Sequence, residues 1–142
     1  MKPLIDAMHI LCEDLALTAQ EDADPSSHDI DYLDLADADS EFGQGEPLYL
    51  YVWISAVYGA SAGTLTVALC DCADAATWVE LVIGLLATDV NLINCIDGKP
   101  QGGPGLICKI AIPPQVKRYV SVHFLVAGAD VATGTLTAAI GP

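Results

Sequence analysis

Basic residues are scarce in this sequence. Only 5 lysines and arginines stand against 19 aspartates and glutamates in 142 residues, which gives a formal net charge of −14. A charge of this sign is repelled by the phosphates of nucleic acids and by anionic membrane surfaces. We therefore expect neither a nucleic acid nor a membrane as a partner, and a basic protein surface is the partner that the charge favours.

Long apolar runs are also missing. The nearest candidate, Leu81–Leu86, is far shorter than the roughly 18 apolar residues that indicate a membrane span. At the N-terminus Asp6 and His9 interrupt what would have to be the apolar core of an export signal. The sequence thus predicts a protein made in a cytoplasm, whose five cysteines are reduced thiols.

The acidic residues are concentrated at one end of the chain. Residues 1–46 hold 13 of the 19 acids and a single basic residue, Lys2, so that this part carries 1 − 13 = −12 and the remainder 4 − 6 = −2. Residues 20–46 are rich in acidic and small polar groups, which predicts an acidic arm with one strand inside it. We interpret the whole chain, residues 1–142, as one domain with this arm.

Apolar residues recur with a period of two, which is the spacing of β-strands. The pattern is strong over five segments: Leu48–Ile54, Thr64–Cys70, Leu106–Ile112, Tyr119–Val126 and Thr135–Ile140. It is weaker over four more: Ile10–Thr18, Ile30–Leu35, Trp78–Ile83 and Val90–Cys95. Glycine- and proline-rich turns separate the segments, and a short helix or turn is expected at Asp74–Thr77. This spacing predicts an all-β fold, a β-sandwich or jelly roll of about eight strands.

Motifs for catalysis are incomplete. Gly59–Gly63 matches the letters G-x-S-x-G, but a nucleophile elbow needs a helix to follow, and here a strand pattern follows. His123 has no serine or cysteine beside it in a recognisable arrangement. Gly98-Lys99 lacks the earlier glycine of a phosphate-binding loop, because Ile93 stands there. We therefore predict that the protein is not an enzyme.

The sequence also contains no complete pattern for a zinc site or a calcium loop. Cys70 and Cys72 lie on one face of a predicted strand, but a zinc site needs a second pair of ligands. The acids between Asp34 and Glu41 resemble a calcium loop, yet Phe42 takes the position that needs glycine and Leu48 the one that needs glutamate. No cofactor is predicted, although a looser carboxylate site for Ca²⁺ stays open.

Large apolar side chains remain on strand faces opposite the predicted core. They are Tyr49, Tyr51 and Trp53 on one strand, and Tyr119 and Leu125 on another. Rows of this kind commonly mark interfaces, so these five are the candidate contacts for self-association or for a partner protein. The alternative is that the acidic arm folds over one of the faces.

The order of several segments resembles the jelly-roll cement proteins of short-tailed bacteriophages, of the type described on Bordetella phage. The resemblance covers nearly the whole chain and rests on short strand-and-turn segments: Ile10–Asp14, Leu17–Ala19, Asp31–Leu35, Gly43–Val52, Gly63–Leu69, Ile112-Pro113, Lys117–Val120, Val126–Gly128 and Gly134–Ala138. Cys12, Cys70 and Cys72 depart from the pattern of that family.

The resemblance implies a cement, or decoration, protein on the exterior of the virion capsid. Such a protein bridges neighbouring subunits of the major capsid protein, stabilises the shell and associates with itself as a dimer or a trimer. On this interpretation the acidic arm meets basic patches of the shell through six carboxylates: Asp29, Asp31, Asp34, Asp37, Asp39 and Glu41.

A second interpretation is a carbohydrate-binding or lectin-like β-sandwich, because Tyr49, Tyr51 and Trp53 could stack on sugars. Their threonine and alanine neighbours suit a protein contact better than a sugar site, which needs polar partners.

Overall fold

The computed structural model describes residues 8–17, 20–36, 47–56, 64–87, 105–129 and 134–142. Within these ranges the fold is all-β and contains no helix, as predicted. The strands are β1 (His9–Leu15), β2 (Asp22–Ala23), β3 (Leu33–Asp34), β4 (Tyr49–Ala56), β5 (Thr64–Cys72), β6 (Val79–Ala87), β7 (Gly105–Ala111), β8 (Tyr119–Ala127) and β9 (Thr135–Gly141).

The strands form two antiparallel sheets. The first, which we call sheet A, has the order β1-β9-β4-β7. The second, sheet B, has the order β2-β8-β5-β6, and β3 pairs with the same strand β8 as β2 does. β2 lies opposite Phe124 and Leu125 and β3 opposite Tyr119 and Val120, so the two short strands follow one another along β8.

One hydrophobic core lies between the sheets. The alternation of each strand turns every second side chain inward, for example Leu50 and Val52 of sheet A and Val67 and Phe124 of sheet B, and all of these are buried. Full burial of side chains of this size contributes roughly 1.5–3 kcal/mol each. Because a single cluster draws on both sheets, the arrangement fits a β-sandwich.

The strongly patterned segments are confirmed as strands β4, β5, β7, β8 and β9. Of the weaker ones, Ile10–Thr18 overlaps β1, which begins one residue earlier and ends at Leu15. Trp78–Ile83 contains the first part of β6, which continues to Ala87. Ile30–Leu35 is a strand only at Leu33–Asp34. The candidate Val90–Cys95 lies outside the described residues.

The segment between β5 and β6 is a turn, which is one of the two forms expected for Asp74–Thr77. Its geometry comes from Asp74, whose Oδ1 accepts the backbone N–H groups of Ala76 and Thr77, both at 3.0 Å. This is the local competition by which aspartate favours turns over helices.

Candidate interaction surfaces

The predicted aromatic row lies on the outer face of sheet A. Tyr49, Tyr51 and Trp53 alternate along β4 with core residues, so the period-two interpretation of this strand is confirmed. Their exposure differs, however. The two tyrosines are half-buried, whereas Trp53 is only 7% exposed and packs with Met8 in a small second cluster. Tyr49 and Tyr51 therefore form the accessible part of the row.

A cation lies over these two tyrosines. Lys109 of β7 places its Nζ 4.2 Å from the ring centroid of Tyr49 and 5.5 Å from that of Tyr51. The Tyr51 hydroxyl donates a hydrogen bond of 2.8 Å to the carbonyl oxygen of Pro142. Cation–π contacts of this kind hold rings and ammonium group together on the surface. We call Tyr49, Tyr51 and Lys109 the tyrosine–lysine patch.

Tyr119 and Leu125 belong to the other sheet. Both lie on β8 and are half-buried, Tyr119 opposite Cys72 and Leu125 opposite Thr66. The five predicted contact residues are thus divided between two sheets, three on sheet A and two on sheet B. The structure does not bring them together into one surface.

Tyr119 is part of an aromatic cluster that the sequence did not predict. Its ring meets that of Tyr32 edge to face, with centroids 5.3 Å apart, and Tyr32 also lies 5.6 Å from Trp78. The guanidinium carbon of Arg118 lies 5.0 Å from the centroid of Tyr119. The three rings come from positions far apart in sequence, and no local pattern signals their meeting.

Residues 20–36, the described part of the predicted arm, are packed against the sandwich. Besides the pairing of β2 and β3 with β8, three apolar side chains of this segment are buried in the core: Ala23, Ile30 and Leu33. The backbone N–H of Asp31 donates to the carbonyl of Leu11 in β1, at 2.7 Å. The segment therefore contacts both sheets and is more firmly packed than the expected acidic arm, because its few apolar residues suffice to anchor it.

The six predicted acidic contacts fall into three groups. Asp29 and Asp31 are exposed. Asp34 is held by Arg118, whose Nε and second guanidinium nitrogen donate to its two oxygens at 2.8 and 2.9 Å. These hydrogen bonds lower the pKa of the Asp34 carboxyl. Asp37, Asp39 and Glu41 lie outside the described residues, and with them most of the looser Ca²⁺ site.

Each histidine contacts a carboxylate of this segment or of a neighbouring strand. His123 lies between Glu80, 3.0 Å from its Nδ1, and Asp22, 3.1 Å from its Nε2. His9 contacts Asp31 at 3.4 Å, and His28 contacts Glu21 at 3.2 Å. Both ring nitrogens of His123 thus face carboxylate oxygens, so this side chain links β8 with β2 and β6. Neither nitrogen is directed at a hydroxyl or a thiol.

The described cysteines are buried and free. Burial raises the pKa of the Cys12 and Cys70 thiols to about 12 and that of Cys108 to about 11. Such thiols are poor nucleophiles and poor metal ligands, since both roles need the thiolate. In the described part of the chain, no three histidine, cysteine or acidic side chains are grouped so that they could hold a metal ion.

A buried carboxylate supports the loop before β8. Asp71 of β5 is only 2% exposed, and its Oδ2 accepts the backbone N–H of Lys117 at 2.9 Å. Its other oxygen, Oδ1, is buried without a hydrogen-bond partner. Asp71 is therefore a structural residue that the strand pattern alone did not single out.

The described residues contain no helix long and apolar enough to cross a membrane.

A family model described as Bbp16 matches residues 19–140 of the chain. The match begins at the anchored acidic segment and ends in β9, so it spans both sheets. No curated protein and no solved structure matches the chain.

Proposed function

The chain belongs to the Bbp16 family, and from this premise we propose that it is a capsid cement protein of a tailed bacteriophage. The observation that carries the proposal is the family match over residues 19–140, because the family's name points to a Bordetella phage protein. The proposed role is structural and not catalytic. The protein binds the outer surface of the assembled head, bridges subunits of the major capsid protein and stabilises the shell.

The proposed fold within the β-sandwich is a jelly roll of eight strand positions. Apart from β5 and β6, neighbouring strands in each sheet come from distant parts of the chain, and β1-β9-β4-β7 faces β2/β3-β8-β5-β6. Because β2 and β3 follow one another along β8, they occupy a single position. Consecutive strand positions then alternate between the two sheets, except that β5 and β6 follow one another in sheet B. This order fits the double Greek key of a jelly roll.

The charge of the chain supports a basic region of the shell as the contact. At −14 the protein is attracted to lysine- and arginine-rich surfaces and repelled by the packaged nucleic acid. Asp29 and Asp31 are exposed, although Asp31 also contacts His9 at 3.4 Å, whereas Asp34 is paired with Arg118. We propose that the acidic side of the segment faces the shell, together with Asp37, Asp39 and Glu41.

Stabilisation follows from selective binding. A protein that binds the assembled shell and not the free subunit stabilises the shell by RT ln(1 + [L]/Kd), about 2.7 kcal/mol per site at a hundredfold excess over Kd. Self-association of the bound copies adds avidity, since the second contact becomes intramolecular. The protein would be made in the host cytoplasm and reside on the capsid exterior.

The sugar-binding alternative receives less support from the geometry. A stacking platform needs coplanar rings, and the interplanar angles are 56° between Tyr49 and Tyr51 and 81° between Tyr32 and Tyr119. These rings pack against each other and against Lys109 or Arg118, which suits a protein contact.

The test is co-sedimentation of the purified protein with expanded phage heads stripped of their accessory proteins. We expect saturable binding at a fixed ratio to the major capsid protein, a higher temperature of head disruption, and weaker binding as salt is raised. Absence of binding by the folded protein would refute the proposal, and glycan binding in a parallel titration would then favour the sugar-binding module.

A further inference from the structure

All three histidines of the chain contact the acidic segment, residues 20–36. Each places its Nε2 within 3.4 Å of a carboxylate of that segment, in the pairs His9 with Asp31, His28 with Glu21 and His123 with Asp22. Histidine is the side chain whose charge ordinarily changes between about pH 5 and pH 8, a range in which ordinary carboxylates stay ionised. The contacts of the segment therefore gain positive charge as pH falls through this range.

His9 and His28 are satisfied without that charge. Nε2 of His9 faces two acceptors, the carboxylate of Asp31 and the carbonyl oxygen of Tyr32 at 3.1 Å, and a single N–H serves both. Nδ1 of His28 lies 2.8 Å from the hydroxyl of Ser27, which donates to it while the N–H at Nε2 donates to the carboxylate. Neither ring needs a second proton.

His123 differs, because both of its ring nitrogens face carboxylates. Nδ1 lies 3.0 Å from Oε2 of Glu80 on β6, and Nε2 lies 3.1 Å from Oδ1 of Asp22 on β2. A neutral imidazole carries one N–H, so one of the two contacts then sets a nitrogen lone pair against a carboxylate. The imidazolium carries two and donates a charge-assisted hydrogen bond to each oxygen.

The ring lies on the outer face of sheet B, since Val122 and Phe124 on either side of His123 point into the core. Its side chain is 17% exposed, whereas those of Asp22 and Glu80 are 70% and 36% exposed. Water and salt therefore screen the attraction, and protonation should have a moderate effect on the two contacts.

The other groups near the ring leave its two carboxylates uncompensated. Asp24, just after β2, is a third acid within electrostatic reach of His123. On β5, Ala68 lies opposite His123, and burial raises the pKa of the neighbouring Cys70 to about 12, so that its thiol is neutral. The strands β2, β5 and β6 contain no lysine or arginine. On these strands the acids are thus left to the imidazole.

We infer that His123 is a pH-dependent latch, whose protonation holds β2, and with it the acidic segment, as well as the edge strand β6 to β8. β2 pairs with β8 directly, and β6 is reached across β5, so one ring joins strands from both sides of β8. The two contacts are strongest when the ring is protonated and weaken as pH rises and the proton leaves. The inference rests on contacts within one chain and is independent of the proposed function.

The test is amide hydrogen exchange of the full chain at about pH 5.5 and about pH 8. The quantity compared is protection, the ratio of the intrinsic to the observed exchange rate at each pH. The backbone N–H of Val126 donates to the carbonyl oxygen of Glu21 at 3.0 Å, so it reports whether the segment lies on β8. Its protection should be at least about threefold higher at the lower pH, because an exposed ion pair shifts an equilibrium by roughly 1.5- to 5-fold. The N–H of Ile112, which donates to Leu48 at the β7 edge of sheet A, should show no such change.

Three variants assign the response to the latch. His123→Gln keeps a donor and cannot take up the charge, so Val126 should lose its pH dependence. His9→Gln is the matched control, because it makes the same change at a histidine that contacts the other end of the segment, and should leave the dependence in place. Glu80→Gln leaves the ring intact and removes one of its two carboxylates, so it should reduce the response even if His123→Gln does not fold. The full wild-type response in His123→Gln or Glu80→Gln, or equal responses of Val126 and Ile112 in the wild type, would overturn the inference.

Discussion

Leu33 tests whether the acidic segment is an integral part of the fold. It is 6% exposed, lies in the core cluster and pairs with Val120 of β8. Leu33→Ala should remove apolar contacts and leave a cavity, at a cost of about 2–4 kcal/mol in the free energy of unfolding. A loss of that size is a large fraction of the roughly 5–15 kcal/mol that stabilises a domain.

The measurement is urea denaturation followed by tryptophan fluorescence. With a denaturant slope of about 2 kcal/mol per molar, the midpoint should fall by about 1–2 M. Leu35→Ala is the matched control. It removes the same atoms two residues further along, from a side chain that is 37% exposed, and should change the free energy by less than about 0.5 kcal/mol. Equal and small effects of the two substitutions would refute the packing of this segment.

Three further predictions concern single polar groups. Burial raises the pKa values of Cys12 and Cys70 to about 12, so both thiols should resist a thiol reagent at pH 8 in the folded protein and react once the protein is unfolded. Fast labelling of these two thiols in the folded protein would contradict their burial. The pKa of the Asp74 carboxyl is lowered to about 2, chiefly by the hydrogen bond from the thiol of Cys72. The stability that the ionised carboxylate adds to the fold is therefore present above about pH 4 and is lost as pH falls toward 2. Asp74→Asn should flatten that part of a plot of stability against pH, and an unchanged plot would contradict the contribution of Asp74. Asp71→Ala removes the acceptor of the Lys117 backbone N–H and should lower the free energy of unfolding by about 1–3 kcal/mol, measured by urea denaturation. An unchanged urea midpoint would contradict this prediction.

The period-two pattern of the sequence predicted most of the long β-strands. Alternation along Leu48–Ile54 and Thr64–Cys70 was enough to locate β4 and β5, since every second residue of both strands lies in the core cluster. β2, at Asp22–Ala23, was not predicted. It is two residues long, begins with an aspartate, and forms only because β8 offers it an edge.

The assignment of side chains to surfaces could not be made from alternation alone. A period of two shows that Tyr49 and Tyr119 lie opposite core residues on their own strands, but it does not show that those strands belong to different sheets. Pairing between distant strands decides this, and so it also decides that Tyr119 meets Tyr32 and Trp78. The burial of Trp53 beside Met8 depends on the same long-range pairing, here between β4, β9 and β1.

The exposure of Ile83 on β6 was not predicted for a related reason. Trp78–Ile83 was predicted only as a weak strand, and whether an apolar strand is central or at an edge depends on the strand order of the sheet. A central position would have buried Ile83, whereas the edge position leaves it 53% exposed. The contact residues predicted from sequence remain candidates for self-association or for the shell. They are Tyr49, Tyr51 and Trp53 on sheet A and Tyr119 and Leu125 on sheet B.

The central claim is that this protein recognises an assembled shell, and a competition experiment tests it most directly. The labelled protein is mixed with stripped, expanded heads, and unassembled major capsid protein is added as competitor at an equal concentration of subunits. The account predicts that the protein stays with the heads at a fixed stoichiometry and that the free subunits do not displace it. Equal binding to free subunits, or no binding to either form by the folded protein, would contradict it.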